Sequence, residues 1–483
     1  MRRWSTGILV ALVSVTALLP LEWSVRRTPA AAHDQAGPEL PETLDVDAID
    51  RYVAAEVKAK KFVGLSLALV RDGKIVLAKG YGESSREQHL PVDTDTAFAV
   101  GSITKQFTCA AALQLADEGK LSLDDKVARY FPKLTRAGDI ALGDLGAHVS
   151  GYPDYYPLDF LDERFRQPIK ADDLLAKWAG GKLDFEPGTR WSYSNTGFVL
   201  LGRVLEKVTM EPLAVLFEQR FFTPLHLLHA SYQPKVGTKG LAQGYESFAL
   251  SDPEPAPREG EGWLGAAGAI YASAKDLAGW DLALMAGKVL KPESMQRMTT
   301  PRVLTDGRST GYGCGLFVGQ QNSETIYSHG GEVNGFLAIN TMVPRTRSAV
   351  VILSNDLGSG PFALRQKLLD LLLQDDKTLP PKVNGPPAKD VVSALIAQLQ
   401  SGSLDRARLG QDFGTYLSDK KVQTAVESLA PLGPPKSVDR ESISERGGME
   451  VTTFAVTFEK RTVKVVMFRS PDGKVEELLL EKE

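Results

Sequence analysis

Cysteine is almost missing from these 483 residues: there are two, Cys109 and Cys314. Two thiols cannot build a Cys-cluster zinc site. Cys109 falls in an apolar helical stretch and Cys314 in the Gly-rich segment Gly311–Val318. Both therefore read as small core residues, with no disulfide framework. Histidine is scarce too, six in all. His226 and His229 have a spacing that suits a metal, but no third ligand pattern stands nearby, so neither metal nor cofactor is expected. Basic residues form no stripe interleaved with aromatics, and the net charge is -4, so nucleic acid is not an expected partner. No serine sits in a Gly-x-Ser-x-Gly frame, which excludes the elbow of an α/β-hydrolase. The Gly-rich loop Gly262–Gly268 lacks the Gly-Lys-Ser/Thr ending of a phosphate loop. Its glycines suit a close backbone approach instead. No internal repeat is evident.

Long apolar runs are also absent, apart from Ile8–Leu21 near the start. That run follows Arg2 and Arg3, precedes the small residues Pro29–Ala32, and is shorter than the ~20 residues of a membrane span. Residues 1–32 read as an export signal cut near Ala32, which would put the mature chain in the periplasm or outside the cell. An uncleaved membrane anchor is the alternative.

What is present is the composition of a folded soluble protein, 43% hydrophobic and 24% charged. Leu44–Lys60 carries Val46, Ile49, Val53 and Val57 on one helical face. Strands over 63–70 and 74–81 flank the hairpin turn Arg71-Asp-Gly73. The first is nearly all apolar, which suits a central strand covered on both faces. Residues 91–300 read as helices and long loops. Ser122 with Asp125, and Ser273 with Asp276, have capping-box spacing. Strands are expected again at 312–318, 324–328, 336–343 and 349–354, then a helix over 362–373. Strands at both ends with helices between imply one sheet whose first and last segments meet. The prolines of 377–388 read as a linker between a domain at 33–376 and a smaller α+β domain at 389–483. In the latter, a helical stripe through Val391, Val392, Leu395, Ile396 and Leu399 precedes strands over 451–458, 462–469 and 474–480.

Chemistry-bearing residues fall in three clusters. Gly101-Ser102-Ile-Thr-Lys105 opens an apolar helix, with Ser102 and Lys105 on one face. A hydroxyl beside an amine is the minimum for nucleophilic catalysis. Roughly one or two Ser-x-x-Lys matches arise by chance in such a chain, and a second, Ser418–Lys421, lies beyond the linker. Downstream of Ser102 alone come Tyr193-Ser-Asn195 and then His329-Gly330-Gly331-Glu332. A tyrosine beside a lysine is drawn toward its phenolate. The glycines let a substrate pass close to backbone N–H groups.

In that order the three clusters resemble those of the serine β-lactamase and penicillin-binding-protein superfamily, nearest in motif to class C β-lactamase-like esterases and D-alanyl-D-alanine carboxypeptidases. The likeness spans about residues 44–375 and includes Leu145–Gly151, similar to the family's His-x-Ser-Gly loop. It implies an α+β fold in which an antiparallel sheet is flanked by helices, with a large helical subdomain. It implies Ser102 as nucleophile, Lys105 and Tyr193 as the base pair, and Asn195 as the group that orients Lys105 and substrate. The amides of Ser102 and Glu332 would form the oxyanion hole. His329 stands where the family has a lysine. A largely neutral imidazole attracts acyl carboxylates less, so ester or amide cleavage through a Ser102 acyl-enzyme, esterase-like first, is expected ahead of lactam cleavage. The implied partner is a small ester, peptide or lactam; oligomeric state is left open. Gly146 replaces a larger apolar residue and is expected to loosen its loop. Peptidase action, weak lactamase action and a non-catalytic acyl-ligand sensor on the same fold are the other readings.

Overall fold

A computed structural model describes residues 44–157, 161–248, 251–321, 323–358, 360–373 and 381–482. The expected export signal and its tether lie outside these residues. Among the described helices none is long and apolar enough to cross a membrane. The described residues divide into two compact units, one drawn from 50–365 and the other from 366–373 and 381–482 with 44–49.

The first unit is built on a seven-stranded antiparallel sheet. Its strands follow the order Leu90–Pro91, Lys74–Ser85, Gly64–Arg71, Ser348–Ser354, Phe336–Val343, Glu324–Val333 and Phe317–Gln321. The first and last segments meet as expected: Leu65 pairs with Ser354 and Val70 with Ala349. Seven of the eight residues of Gly64–Arg71 are buried, which explains a strand apolar on both faces. The helix Ala274–Met285 packs against it, begun by Ser273, whose hydroxyl accepts from the Asp276 amide at 3.0 Å. From this helix Trp280 stacks on Phe107 with ring centroids 3.9 Å apart, and its indole donates to Gln106 Oε1. Phe107 and Gln106 belong to the helix Thr104–Asp117, whose side chains are almost all buried. The helix that follows Ser102 is thus pinned inside the core, which fixes where the serine points.

Four local expectations differ from the structure. Ser122 and Asp125 do hydrogen-bond about their own turn. No α-helix follows, because Lys126 is extended and bridges Ala141. The strand expected from 312 begins at Phe317: Gly313 and Gly315 press against the backbone of Met298 and Lys105, where a Cβ would lie 2.1 and 2.5 Å from carbonyl oxygens. The two cysteines, read as separate core residues, are joined in a disulfide across 205 positions. Gly146 ends the short helix Leu142–Gly146 and does not loosen it. A Cβ there would lie 2.5 Å from Cys314 Sγ and 3.3 Å from Cys109 Sγ, so the glycine makes room for the disulfide.

The second unit has a four-stranded antiparallel sheet, Ser437–Arg446, Met449–Thr457, Thr462–Arg469 and Val475–Lys482. The expected stripe is the buried face of the helix Ala388–Ser401. Arg469 and Glu450 form a buried ion pair, and Arg469 also donates to the Pro386 carbonyl. Asn384 donates to Pro471, so the end of the proline-rich stretch belongs to this unit. Ser418 begins the helix Asp419–Leu429 and Lys421 lies over the Tyr416 ring.

Candidate active site

Ser102 lies in a 3₁₀ turn, Gly101–Ile103, that runs directly into the helix Thr104–Asp117. The turn is anchored on both sides. Val100 N donates to Ile270 O, and Ile270 N donates to Thr104 Oγ1 at 3.1 Å. Gly101 adopts φ +51°, and a Cβ on it would lie 2.8 Å from Glu332 N. Glycine is needed for both reasons.

Lys105 Nζ sits one turn along the helix and is fully buried. It donates to Ser102 Oγ at 2.9 Å, Asn195 Oδ1 at 2.8 Å and Ala267 O at 2.8 Å. The rings of Tyr193 and Phe198 lie 4.8 and 5.3 Å from it. Burial brings the amine down to about 7, with the Asp154 charge opposing. Such a lysine spends much of its time neutral at pH 7 and can accept the Ser102 proton. Ala267 belongs to the Gly-rich stretch singled out in the sequence, whose backbone does approach the site.

Tyr193 hydrogen-bonds Ser102, but its phenol is pushed above its usual range by burial, against that bond, with the Asp154 charge adding to the rise. The expected phenolate is therefore not favoured: desolvation outweighs the neighbouring amine, itself only partly charged. Tyr193 can relay a proton as a neutral hydroxyl.

The loop 148–154 holds this motif residue by residue. Ser192 N donates to His148 O and Ser194 N to His148 Nδ1 at 3.0 Å. Asn195 N and Nδ2 donate to Asp154, and Thr196 Oγ1 donates to Pro153 O. The His148 ring packs on that of Tyr193 with centroids 4.2 Å apart. His148 itself holds φ +58°, a conformation uncommon for a non-glycine residue.

His329 is 3% exposed. Its Nδ1 contacts the Gly330 carbonyl at 2.5 Å and its Nε2 contacts the Tyr312 hydroxyl at 2.8 Å. A carbonyl only accepts, so Nδ1 carries the proton and Tyr312 donates to Nε2. Burial first, and then the Lys105 charge, takes the imidazole down to about 3. It is neutral, with both nitrogens engaged. Beyond it the backbone closes on the Ser102 turn: a Cβ on Gly331 would lie 2.0 Å from Val100 O and 3.2 Å from Ser102 N. The peptide groups of Ser102 and Glu332 are thereby neighbours. The Glu332 side chain is exposed. Among the described residues no three His, Cys, Asp or Glu side chains gather as a metal-ligand set.

The β-lactamase family pattern matches residues 49–375. This chain belongs to the β-lactamase family. It is a serine hydrolase of the β-lactamase fold. A D-aminopeptidase of Brucella anthropi is 28% identical over 422 residues, covering 84% of this chain and 79% of its own length. A D-aminopeptidase of Brucella canis is 28% identical over 324 residues, 66% of this chain and 61% of its own. Among solved structures, a D-stereospecific amidohydrolase from Streptomyces sp. aligns with TM-score 0.59 and 25% identity, covering 68% of this chain and 98% of its own. An octameric penicillin-binding protein homologue from Pyrococcus abyssi aligns over 91% of this chain and 99% of its own, with TM-score 0.61 and 21% identity. That last likeness is one of fold.

The structure gathers Ser102, Lys105, Tyr193 and Asn195 through direct hydrogen bonds and brings the backbone of 330–332 over them. Sequence reading missed Asp154 and Tyr312, and foresaw the approach of the Gly262–Gly268 backbone without naming the Ala267 carbonyl. Asp154 and Tyr312 carry no motif of their own. The one available signal was that Asp154 follows the His-x-Ser-Gly loop within a few residues.

Proposed function

We propose that this chain is an amidohydrolase that works through a Ser102 acyl-enzyme and prefers D-amino-acid amides or peptides with a free α-amino group. The observation that carries this reading is the charge around the nucleophile. Where a lysine would attract an acyl carboxylate, His329 is neutral and internally engaged. The largely buried Asp154 carboxylate is tied to Asn195, itself bonded to Lys105. An anionic group beside a neutral one suits an ammonium and disfavours a carboxylate. The likeness to proteins named D-aminopeptidase and D-stereospecific amidohydrolase supports the same reading.

In this mechanism neutral Lys105 takes the Ser102 proton as the hydroxyl attacks the amide carbonyl. The amides of Ser102 and Glu332 hold the oxyanion, each donor being worth ~3 kcal/mol of barrier. Tyr193 relays the proton held by Lys105 to the departing amine, and Lys105, neutral again, takes a proton from the water that hydrolyses the acyl-enzyme. Esters are the second reading, favoured by sequence alone, since an alkoxide leaves more easily than an amine on the same serine. Residues 1–32 are proposed as an export signal. A disulfide in the first unit fits an oxidising compartment.

A panel of D- and L-alanine p-nitroanilide, acetyl-D-alanine p-nitroanilide, p-nitrophenyl acetate and nitrocefin tests the proposal. Turnover fastest on the free-amine D-anilide, and abolished in Ser102→Ala, is expected. A preference for the acetylated anilide would overturn the charge argument.

A further inference from the structure

We infer that the Cys109–Cys314 disulfide, with Gly146 beneath it, is a positioning element of the active site. The inference rests on Lys105 being the base of the proposed mechanism. Cys109 lies four residues after Lys105, so the two share one face of the same helix. Cys314 lies two residues after Tyr312, which holds the His329 ring. The next residue, Gly315, touches the Lys105 backbone, where a Cβ would lie 2.5 Å from Lys105 O. One covalent bond therefore ties the helix that presents Ser102 and Lys105 to the segment that sets His329.

The third side of the joint is Gly146. Its carbonyl accepts from Gly315 N at 3.4 Å, and its missing side chain is what lets the sulfurs pass. Both cysteines are buried, Cys109 fully and Cys314 to 6% exposure. The bond fixes both the rotation and the advance of the helix. Those two variables decide whether Lys105 Nζ reaches Ser102, Asn195 and the Ala267 carbonyl at once, and whether water reaches it.

Three variants test this: Cys109→Ala/Cys314→Ala, Gly146→Ala, and all three changes together. For each, folding is checked by circular dichroism, and kcat, KM and the pH profile of kcat/KM are measured well below the melting temperature. In the cysteine-free variant kcat should fall about tenfold with KM within about twofold. The acid limb should move upward from about 7 as Lys105 hydrates toward the ordinary lysine value. Gly146→Ala, which keeps the disulfide, should shift the limb the same way and covers the case of a cysteine-free chain that does not fold. Adding Gly146→Ala to the cysteine-free chain should cost little, because the methyl occupies space left by sulfur. A disulfide that only stabilises would lower the melting temperature and leave kcat and the limb in place. That result, or an equal Gly146→Ala penalty with and without the cysteines, overturns the inference. Fluorophosphonate labelling of the parent keeps the two ideas apart. An unlabelled Ser102 refutes the mechanism, whereas a labelled Ser102 with an unmoved limb refutes the positioning role.

Discussion

The Tyr312 hydroxyl donates to His329 Nε2 at 2.8 Å, and both side chains are buried. Tyr312→Phe leaves that nitrogen without a partner away from water. The expected cost is about 1–3 kcal/mol of stability, read as a lower urea midpoint with an unchanged slope. Because the freed ring can turn, kcat should fall as well, while His329→Phe in the same background should add little further loss.

Lys105 sets the pH response. Only the neutral amine is a base, so kcat/KM should rise with pH and level off above about 7. Lys105→Arg keeps a permanent cation at the position and should reduce kcat by about 100- to 10,000-fold. Steady-state rates from pH 5 to 9 decide this; a flat profile in the parent would contradict it. The amine binds its proton less readily in the folded chain than in the unfolded one. Its contribution to stability therefore improves as pH rises from about 7 toward the ordinary lysine value of 10.5.

Asp281 behaves in the opposite sense. It is fully buried, and burial raises its carboxyl well above the usual 3.8. Asn340 Nδ2 donates to its Oδ1 at 2.8 Å, while Asp281 Oδ2 and Asn340 Oδ1 are both buried with no other partner. A proton on Oδ2 closes the pair into a ring of two hydrogen bonds. The folded state then binds a proton that the unfolded state has released, so stability falls as pH climbs above 3.8. Relative to Asp281→Asn, the parent should lose about 1.4 kcal/mol per pH unit through that window. Denaturation at pH 5 and pH 8 measures the difference.

The glycines beneath the proposed oxyanion donors admit no side chain. Gly331→Ala drives a methyl into the Val100 carbonyl, and Gly101→Ala meets both a left-handed φ and the Glu332 amide. Each should lower kcat by about 100-fold or more, the scale of losing one oxyanion donor. KM should change little, and the pre-steady-state burst of leaving group should slow in proportion.

Much of this was legible from pattern because local chemistry dictated it. The nearly continuous apolar run marked Gly64–Arg71, the turn Arg71-Asp-Gly73 marked its hairpin, and Ser273 marked the helix after it. Ser102, Lys105, Tyr193 and Asn195 were legible because their spacing is fixed within single elements. What failed depended on distant chain. The disulfide joins segments that no local rule connects, and the meaning of Gly146 follows from it. Tyr193 was misjudged because adjacency to a lysine can be read from a motif, whereas the burial that overrides it cannot. The strand Ser437–Arg446 was missed because its residues are mostly polar, and polarity masks a period of two.

The pairing of Leu65 with Ser354 has a consequence in time. A growing chain makes the nucleophile and its lysine early, but the strand that supplies the Glu332 amide comes far later, and the strand that closes the sheet later still. Until the strand Glu324–Val333 is available, the proposed oxyanion site lacks its Glu332 donor. Contacts this distant in sequence slow folding, and under the proposed mechanism a chain cut before Glu324–Val333 should not turn over substrate. Under that mechanism competence waits on strands far from Ser102 in sequence, as a check that the sheet has closed.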